Sequence, residues 1–420
     1  MVISHAKSFA KSSALYTLAV GIEALVPFAL LPILTRMLPP ADYGVWVIFV
    51  ALYSFLRPLV TLNLQDAVRS RFHDLDGRGV HDLVIGALLL STCMTAVTEL
   101  VLYGSRHPIA ALIHFPEEWI WAAPATAYAY GIFYLFLAVF QFRGELREFI
   151  RFQLLQAGLG LLLVLLFLSF GFDWRGAVLG RLLGVALTVV LVWPTIAKTF
   201  PFKHRSAVAW LPLLSFSVKY LPVGLGVVVV PLVNRLFVAH YAGIEQAGYF
   251  GIAALFGSAL GLVTTGYLFA WQPRLFSVLQ GGASDAARNE VRAFCVLFSL
   301  IFPIFGLALI YAAEFALPIL VPPAYLAAIP LIALSVWGGV AQAYFEQSQT
   351  ILLGEKREGA MSLAYCLVMS LHVLLSIYWV KSDGCEGALK ATLFAFLAGT
   401  VVSSLFAYSP FRRALRNTRG

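Results

Sequence analysis

The sequence predicts an all-α membrane protein with about twelve transmembrane helices. Of its 420 residues, 60% are hydrophobic and only 12% are charged, whereas soluble domains carry about 25% charged residues. Apolar runs of about 20 residues recur along the whole chain, and each is long enough to cross the ~30 Å hydrocarbon core of a bilayer. A short motif occurs once in each half of the chain, which indicates a duplicated membrane protein.

Twelve apolar runs predict the helices in chain order. The first run is too long for the apolar region of a signal peptide, so we expect it to remain as the first span. Prolines inside the runs, such as Pro58 and Pro303, are tolerated because neighbouring helices and cavity water satisfy the freed carbonyl groups. We predict spans at residues 13–35, 43–64, 83–103, 119–140, 154–170, 177–196, 213–237, 248–271, 291–313, 327–353, 360–380 and 388–408.

The first hairpin of the chain has a partial copy in the second half. Both copies place a proline and an arginine four residues apart: Pro32 and Arg36, then Pro231 and Arg235. A second match, G-E-x-R-E, follows the predicted fourth and tenth spans at residues 144–148 and 354–358. We therefore predict an N-terminal six-helix bundle at residues 1–200 and a C-terminal one at 201–420. Six spans per half would give both halves the same orientation in the membrane.

The net charge of +8 is explained by the orientation of the protein in the membrane and does not indicate nucleic-acid binding. Basic residues concentrate in loops on one side of the predicted spans, which is the pattern of cytoplasmic loops, so both termini are expected in the cytoplasm. Four cysteines without a C-x-x-C pair support neither a disulfide framework nor a zinc site. The basic loops contain, among others, Lys7, Lys11, Arg69, Arg71, Arg143, Arg147, Arg151, Lys198, Arg274, Arg288, Lys356, Arg357, Arg412 and Arg413.

The first hairpin resembles bacterial polysaccharide biosynthesis exporters, the O-antigen-type flippases of the multidrug/oligosaccharidyl-lipid/polysaccharide (MOP) superfamily. The resemblance is carried by the basic N-terminus, by a P-x-L-T-R-x-L-x-P-x-x-Y-G motif from Pro32 to Gly44, and by the basic connection at Arg69 and Arg71. It implies two pseudo-symmetric six-helix bundles around a central cavity that opens alternately to the two sides.

The implied substrate is a polyprenyl-pyrophosphate-linked oligosaccharide that moves from the cytoplasmic to the outer leaflet of the bacterial inner membrane, as in lipopolysaccharide synthesis. Membrane lipids and other membrane proteins of polysaccharide assembly are the implied partners.

Four ionisable residues stand out inside predicted spans, away from their ends: Glu23, Arg57, Lys219 and Glu346. Each costs at least ~2.5–3.5 kcal/mol to insert and therefore needs a reason. In one interpretation they form a layer in which Arg57 and Lys219 attract a pyrophosphate, because arginine offers phosphate a bidentate fork and lysine a point charge. Glu23 or Glu346 would then take up a proton and couple transport to the proton gradient. In the other interpretation, Glu23–Arg57 and Lys219–Glu346 are structural ion pairs.

Other charged residues lie near the ends of predicted spans, namely Arg36, Glu99, Arg181 and Arg235. For these we expect the side chain to extend to the membrane interface. Arg36 and Arg235 remain candidate substrate-binding residues because they occupy equivalent positions in the two copies of the hairpin.

Polar residues also cluster on the predicted tenth span, where Gln342, Glu346, Gln349 and Thr350 share one helical face. This stripe either lines water or hydrogen-bonds across helices, and Gln342 is a candidate substrate-binding residue. Asn234 is expected to make an interhelical hydrogen bond. The histidines that lie in and near loops show no metal-ligand spacing, so we expect no metal site. We also expect no cofactor.

The leading functional hypothesis is an oligosaccharide flippase. A multidrug-type cation antiporter of the same superfamily would favour an acidic cavity, whereas the predicted layer has as many bases as acids. A membrane-embedded glycan enzyme would need a sizeable outer loop, and the outer loops here are short, so no catalytic residue is nominated. An ATP-driven pump is excluded because no lysine follows a glycine in the chain, and the phosphate-binding motif G-x-x-x-x-G-K-[ST] requires that pair.

Overall fold

The computed structural model describes residues 21, 25–65, 77–199, 225, 228–279, 285–355 and 357–416. These residues form helices joined by short turns and contain no β-strand. Nine of the described helices are long and apolar enough to cross a membrane. One of the nine folds back at Gly384, and the shorter apolar helices Leu25–Met37 and Val228–Ala242 stand where the first and seventh spans are predicted. The prediction of an all-α membrane protein with about twelve spans is therefore confirmed.

The described residues fall into two compact units, one up to Leu232 and one from Val233 onward. The predicted boundary at residues 200/201 lies outside the described residues and stays a prediction. The helices of the first unit are α1 (Leu25–Met37), α2 (Pro40–Thr61), α3 (Gly77–Gly104), α4 (Arg106–Ile113), α5 (Ala122–Phe142), α6 (Leu146–Ser169) and α7 (Trp174–Thr199).

The second unit begins within the helix α8. Its helices are α8 (Val228–Ala242), α9 (Ile244–Leu279), α10 (Asp285–Leu320), α11 (Ile329–Gly354) and α12 (Glu358–Arg416). Helix α11 packs against α9, α10 and α12, so it is the central helix of this unit. In the first unit, α2 and α5 are the most buried of the spanning helices.

The first hairpin forms where the sequence motif predicts it. Helix α1 ends at Met37, and Pro39 adopts an extended conformation with φ −68° and ψ 160°. Pro40 occupies the first position of α2, where a missing N–H costs no hydrogen bond. The amide of Tyr43 then donates to the carbonyl oxygen of Pro39 at 3.0 Å. Two adjacent prolines therefore stop one helix and start the next.

The eleventh and twelfth predicted spans are the two arms of α12, residues 358–383 and 385–416. Gly384 joins them with φ 55° and ψ −125°, a backbone conformation that is essentially restricted to glycine. Three residues later, a Cβ on Gly387 would lie 2.1 Å from the carbonyl oxygen of Trp379. Only glycine at both positions allows the arms to fold back so closely.

Several helices extend beyond the predicted spans. Helices α9 and α10 each contain 36 residues and are about 54 Å long, so they continue past the apolar runs into the predicted cytoplasmic segment. There the Nε of Arg274 donates to the carboxylate of Glu290 at 2.7 Å. The predicted outer loop before the fourth span also contains a helix, α4, which sequence analysis did not predict. Apolar length defines the membrane crossing but does not determine where a helix ends.

Candidate functional site

The interior of the first unit contains two arginines on either side of stacked tyrosines. The Cζ of Arg57, on α2, lies 4.8 Å from the centroid of the Tyr134 ring. The ring of Tyr134 stacks on that of Tyr130, one turn earlier on α5, at 6.1 Å between centroids. The Cζ of Arg181, on α7, lies 5.0 Å from the Tyr130 ring. We call Arg57, Tyr134, Tyr130 and Arg181 the arginine–tyrosine row.

Amide and phenol groups surround this row. Tyr53 of α2 stacks on Tyr130 with 5.5 Å between centroids and 7° between ring planes. Gln153 and Gln156 of α6 are fully buried, and the Nε2 of Gln156 donates to the hydroxyl of Tyr130 at 2.8 Å. The Oε1 of Gln156 is buried and accepts no hydrogen bond from the residues that the structure describes. The site therefore offers polar groups at the centre of an apolar bundle.

Close packing of α6 on α7 places these side chains together. Helix α7 carries glycine at every fourth position, at Gly176, Gly180 and Gly184. A Cβ on Gly184 would lie 2.7 Å from the Cα of Gly160 on α6, so the two backbones are in direct contact, as small residues allow in membranes. The position of a Cβ on Gly160 is 3.8 Å from the Nη1 of Arg181. Arg181 therefore lies against the same glycine contact that joins the two helices.

Arg181 corrects the expectation that its side chain extends to the membrane interface. Its Nε is buried, and the Tyr130 ring beneath its guanidinium is only 2% exposed. The residue lies seven positions after the start of α7, about 10 Å along the helix, because α7 begins at Trp174 rather than at the first strongly apolar residues. Because α7 starts about one turn before the predicted span and the side chain of Arg181 lies against Tyr130, Arg181 is inside the unit.

Arg57 is half-buried, four residues before the end of α2. Its aromatic contact is with Tyr134, and no carboxylate in the described part of the chain forms an ion pair with it. Glu23 and Lys219 lie outside the described residues, so both predicted ion pairs, and the single layer of four charges, stay predictions.

The polar stripe of the second unit is bonded mainly along its own helix. The Nε2 of Gln342 donates to the Oε1 of Glu346 at 2.8 Å, and the hydroxyl of Thr350 donates to the carbonyl oxygen of Glu346 at 2.9 Å. Gln349 is only 4% exposed, and among the described residues neither of its amide atoms has a hydrogen-bond partner. The stripe therefore contains a buried amide, that of Gln349, whose hydrogen-bonding groups are not used by the described residues.

The two equivalent arginines of the repeated hairpin occupy different surroundings. Arg36, the next-to-last residue of α1, is exposed, as expected for a side chain at the membrane interface. Arg235 is half-buried in the middle of α8, and its Nε is buried. The expectation that Arg235 is near a span end is therefore wrong, because α8 continues to Ala242. Asn234, beside it, makes the predicted interhelical hydrogen bond, to the hydroxyl of Thr392 at 2.9 Å.

Tyr130, Tyr134 and the two buried glutamines are not among the residues predicted from the sequence. Gln153 lies one residue before the predicted fifth span and so falls outside it. The available signal was the pair of glutamines three positions apart on a helix that is otherwise apolar, since polar groups in a span face the bundle interior. No group of metal-binding side chains occurs in the described ranges.

Guanidinium groups over aromatic rings, with amide N–H donors nearby, favour anionic oxygen atoms as ligands. Arginine presents five donors in a planar fork that matches carboxylate or phosphate. A ring face attracts the guanidinium cation through the negative charge of its π-system. The row is therefore suited to bind an anionic group such as phosphate.

Comparison with known proteins agrees with the fold. The chain is similar to the structure described as "Lipid II flippase MurJ, inward closed conformation", with 13% identity, a TM-score of 0.71, and 96% of this chain and 90% of that chain covered. It is also similar to an inward-facing multidrug resistance MATE family transporter of the MOP superfamily, with 14% identity, a TM-score of 0.67 and 96% of both chains covered. A MOP superfamily transporter from Pyrococcus furiosus gives a TM-score of 0.58 at 14% identity, with 98% and 97% covered.

These similarities show the fold of MOP superfamily transporters, to which the predicted two six-helix bundles correspond. No curated protein matches the chain in sequence. Residues 33–330, more than half of the chain, match the family model described as polysaccharide biosynthesis protein. The chain is therefore a multi-pass membrane protein that belongs to the polysaccharide biosynthesis protein family, with the fold of MOP superfamily transporters.

Proposed function

We propose that this protein flips a polyprenyl-pyrophosphate-linked oligosaccharide from the cytoplasmic to the outer leaflet by alternating access. The proposed location is the bacterial inner membrane with both termini in the cytoplasm. The observation that carries the proposal is the arginine–tyrosine row, which puts two cations inside the first unit. Family membership and the similarity to a lipid II flippase support a lipid-linked substrate.

The energetics of the row favour a binding role over a structural one. An arginine inside a spanning helix costs up to about 2.5–3.5 kcal/mol to insert, the value that applies at the helix centre. A cation–π contact of the kind seen between Arg57 and Tyr134 returns only about 0.5–2 kcal/mol. A bound pyrophosphate would supply the missing stabilisation through charge-assisted hydrogen bonds, which are roughly twice as strong as neutral ones.

We assign roles to the candidate residues on this basis. Arg57 and Lys219 would hold the pyrophosphate, and Arg181 joins them as a residue of the row. Arg36, Arg235 and Gln342 would contact the substrate on its path through the membrane. Glu23 and Glu346 would take up a proton or form ion pairs. No catalytic residue, metal or cofactor is proposed, since transport of an intact lipid needs no bond to be broken.

A groove on α6 supports membrane lipids as partners. It has a volume of about 570 Å³ and is lined by Arg147, Ile150, Arg151, Leu154 and Leu155. The arginines are one helical turn apart and exposed, next to apolar side chains. Basic pockets beside spanning helices on the cytoplasmic side suit anionic headgroups, with the acyl chain along the apolar part. Other membrane proteins of polysaccharide assembly remain proposed partners on the basis of the family alone.

One observation in the second unit favours the alternative, a multidrug-type cation antiporter. Glu346 is a carboxylate inside a spanning helix, and its described side-chain partner is the neutral amide of Gln342. A cationic drug could bind there. A membrane-embedded glycan enzyme is less well supported, because the described connections on the predicted outer side are short, and the longest of them, between α3 and α5, contains only the eight-residue helix α4 and one short turn of 3-10 helix.

Deletion of the gene in its own host, followed by extraction of polyprenyl-linked lipids, tests the function. We expect a complete lipid-linked oligosaccharide to accumulate on the cytoplasmic leaflet and surface polysaccharide to be lost. Accumulation of a truncated glycan would instead make the protein an enzyme of assembly. An unchanged lipid pool with increased sensitivity to cationic drugs would favour the antiporter.

Complementation with variants tests the site. We expect Arg57→Gln to reduce flipping by about 10- to 100-fold at an unchanged protein level, the factor for losing a hydrogen bond to a charged group. Arg57→Lys should be intermediate, since lysine keeps the charge but not the fork. The matched control is Arg143→Gln, which removes an exposed arginine bonded to Glu145 at 2.6 Å. Full activity of Arg57→Gln would remove the row from the proposed mechanism.

A further inference from the structure

A second polar cluster lies inside the second unit, around a histidine that sequence analysis did not select. His372 is on the first arm of α12, 14 residues from Glu358 and 12 residues from Gly384, which places it about 21 and 18 Å from the two ends. Its side chain is fully buried. An ionisable residue in the middle of a spanning helix is expected to have a function.

Three helical segments meet at this imidazole. Its Nε2 lies 3.0 Å from the Oδ1 of Asn234 on α8 and 3.3 Å from the hydroxyl of Thr392 on the second arm of α12. Ser376, one turn away on its own arm, lies at 3.4 Å. The Nδ2 of Asn234 donates to the hydroxyl of Thr392 at 2.9 Å. These bonds connect α8 to both arms of α12.

The hydrogen bonds determine which nitrogen of His372 carries the proton. The hydroxyl of Thr392 donates to the carbonyl oxygen of Ala388 at 3.0 Å, so its oxygen is free to accept from Asn234. The Oδ1 of Asn234 can only accept, so the Nε2 of His372 must donate to it. In the neutral ring, the Nδ1 is then a bare acceptor. This atom is buried and has no hydrogen-bond partner among the described residues.

The charged groups on the helices packed around His372 form no described hydrogen bond or ion pair with it. Lys390, on the second arm, is bonded to Asp383 at 2.7 Å and to Glu386 at 3.5 Å. On α11, Glu346 accepts from Gln342, and on α9, Glu245 accepts from the hydroxyl of Tyr249. Arg235 follows Asn234 on α8. His372 itself is bonded to Asn234, Ser376 and Thr392 within the part of the chain that the structure describes.

We propose that the Nδ1 of His372 is a proton-binding site in the membrane-spanning part of the second unit, and that proton binding loosens α8 from α12. A proton taken from water forms an N–H bond at Nδ1 and leaves a charged ring with an unpaired buried donor, which is costly. The ring relieves this cost by moving toward water. That movement breaks its bond to Asn234 and so weakens the bond between Asn234 and Thr392.

The repeated hairpin shows that this link is specific to the second unit. The position equivalent to Asn234 in the first copy is Thr35, next to Arg36. The hydroxyl of Thr35 donates to the carbonyl oxygen of Leu31 in its own helix at 2.8 Å. Replacing threonine by asparagine thus changes a bond within one helix into a bond between helices. The inference does not depend on the proposed substrate.

Hydrogen exchange of the α8 amides in the full-length protein, reconstituted in lipid nanodiscs at pH 5 to 8, tests this proposal. Exchange of wild type is compared with His372→Gln at each pH, so that the intrinsic dependence of exchange on pH cancels. Relative to the variant, we expect wild-type exchange to be roughly tenfold faster at pH 5 than at pH 8. That factor corresponds to the loss of about 1.4 kcal/mol, a typical buried hydrogen bond.

Two further variants make the outcome decisive. His240→Gln removes an exposed histidine from the same helix and should keep the wild-type dependence on pH. Asn234→Asp keeps the histidine but puts a carboxylate beside it, which stabilises the protonated ring and pairs with it across the helices, so the faster exchange at pH 5 should be lost. Equal pH dependence in wild type and His372→Gln would overturn the proposal. If His372→Gln does not fold, a pH dependence in Asn234→Asp equal to that of wild type would overturn it.

Discussion

At the scale of single residues, the buried amides of α6 depend on hydrogen-bond partners inside the first unit, because water cannot reach them. Gln156 is fully buried, and its amide N–H is satisfied by one phenol oxygen, that of Tyr130. A buried donor that loses its partner costs more than the bond itself contributes, because the donor cannot return to water. The phenol of Tyr130 therefore has a structural effect besides its place in the arginine–tyrosine row.

Tyr130→Phe should lower the free energy of unfolding by about 1–3 kcal/mol, because it leaves the Nε2 of Gln156 without its acceptor. Thermal unfolding in detergent measures the effect as a lower midpoint. Tyr128→Phe is the matched control, since the hydroxyl of Tyr128 bonds to Thr92 at an exposed position where water can replace it. Equal midpoints for the two variants would contradict this account of Gln156.

At the scale of elements, the contact between α6 and α7 depends on glycine at specific positions. A Cβ on Gly180 would lie 2.5 Å from the backbone N and Cα of Val164. Backbone atoms cannot rotate away as a side chain does, so any larger residue separates the helices. The separation would also move Arg181, which is adjacent to Gly180 in sequence, relative to Gln156.

Gly180→Ala should therefore destabilise the protein by about 1–3 kcal/mol, the usual range for overpacking, and reduce flipping as well. Gly158→Ala on α6 is the control, since a Cβ there would meet no atom within 4 Å and alanine favours a helix over glycine. Thermal unfolding and complementation of the deletion strain measure both variants. Equal stability of Gly180→Ala and Gly158→Ala would show that close contact at Gly180 is not required.

At the scale of the whole molecule, the even number of spans and the distribution of basic residues predict the topology. The exposed Arg147 and Arg151 at the start of α6 and the Arg274–Glu290 pair between α9 and α10 lie on the predicted cytoplasmic side. The turn at Gly384 between the arms of α12 lies on the opposite side. Positive residues in short loops stay in the cytoplasm during insertion.

Reporter fusions test this topology. A green fluorescent protein joined after Gly420 should fluoresce, because it folds in the cytoplasm, whereas alkaline phosphatase joined at Asp383 should be active, because it requires the oxidising outer side. Alkaline phosphatase joined at Gly281, between α9 and α10, is the control and should be inactive. Phosphatase activity at Gly281 together with inactivity at Asp383 would show that the orientation is opposite to the predicted one.

The class of protein, the number of spans (about twelve) and the first hairpin at Pro39 and Pro40 can be predicted from the sequence alone. These features follow from local properties: apolar length decides whether a segment crosses the bilayer, and adjacent prolines break a helix wherever they occur. The insertion cost of a charge is also local, which is why Arg57 could be selected as a candidate before any packing was known.

Which side chains meet depends on how the helices pack in the folded protein. Arg181 lies within reach of the interface by sequence, but the glycine contact between α6 and α7 directs it over the Tyr130 ring. His372 and Asn234 are 138 residues apart and come together only when α12 folds back at Gly384 and packs on α8. The direction of a side chain and its partners across helices are set by packing, and no local pattern in the sequence encodes them.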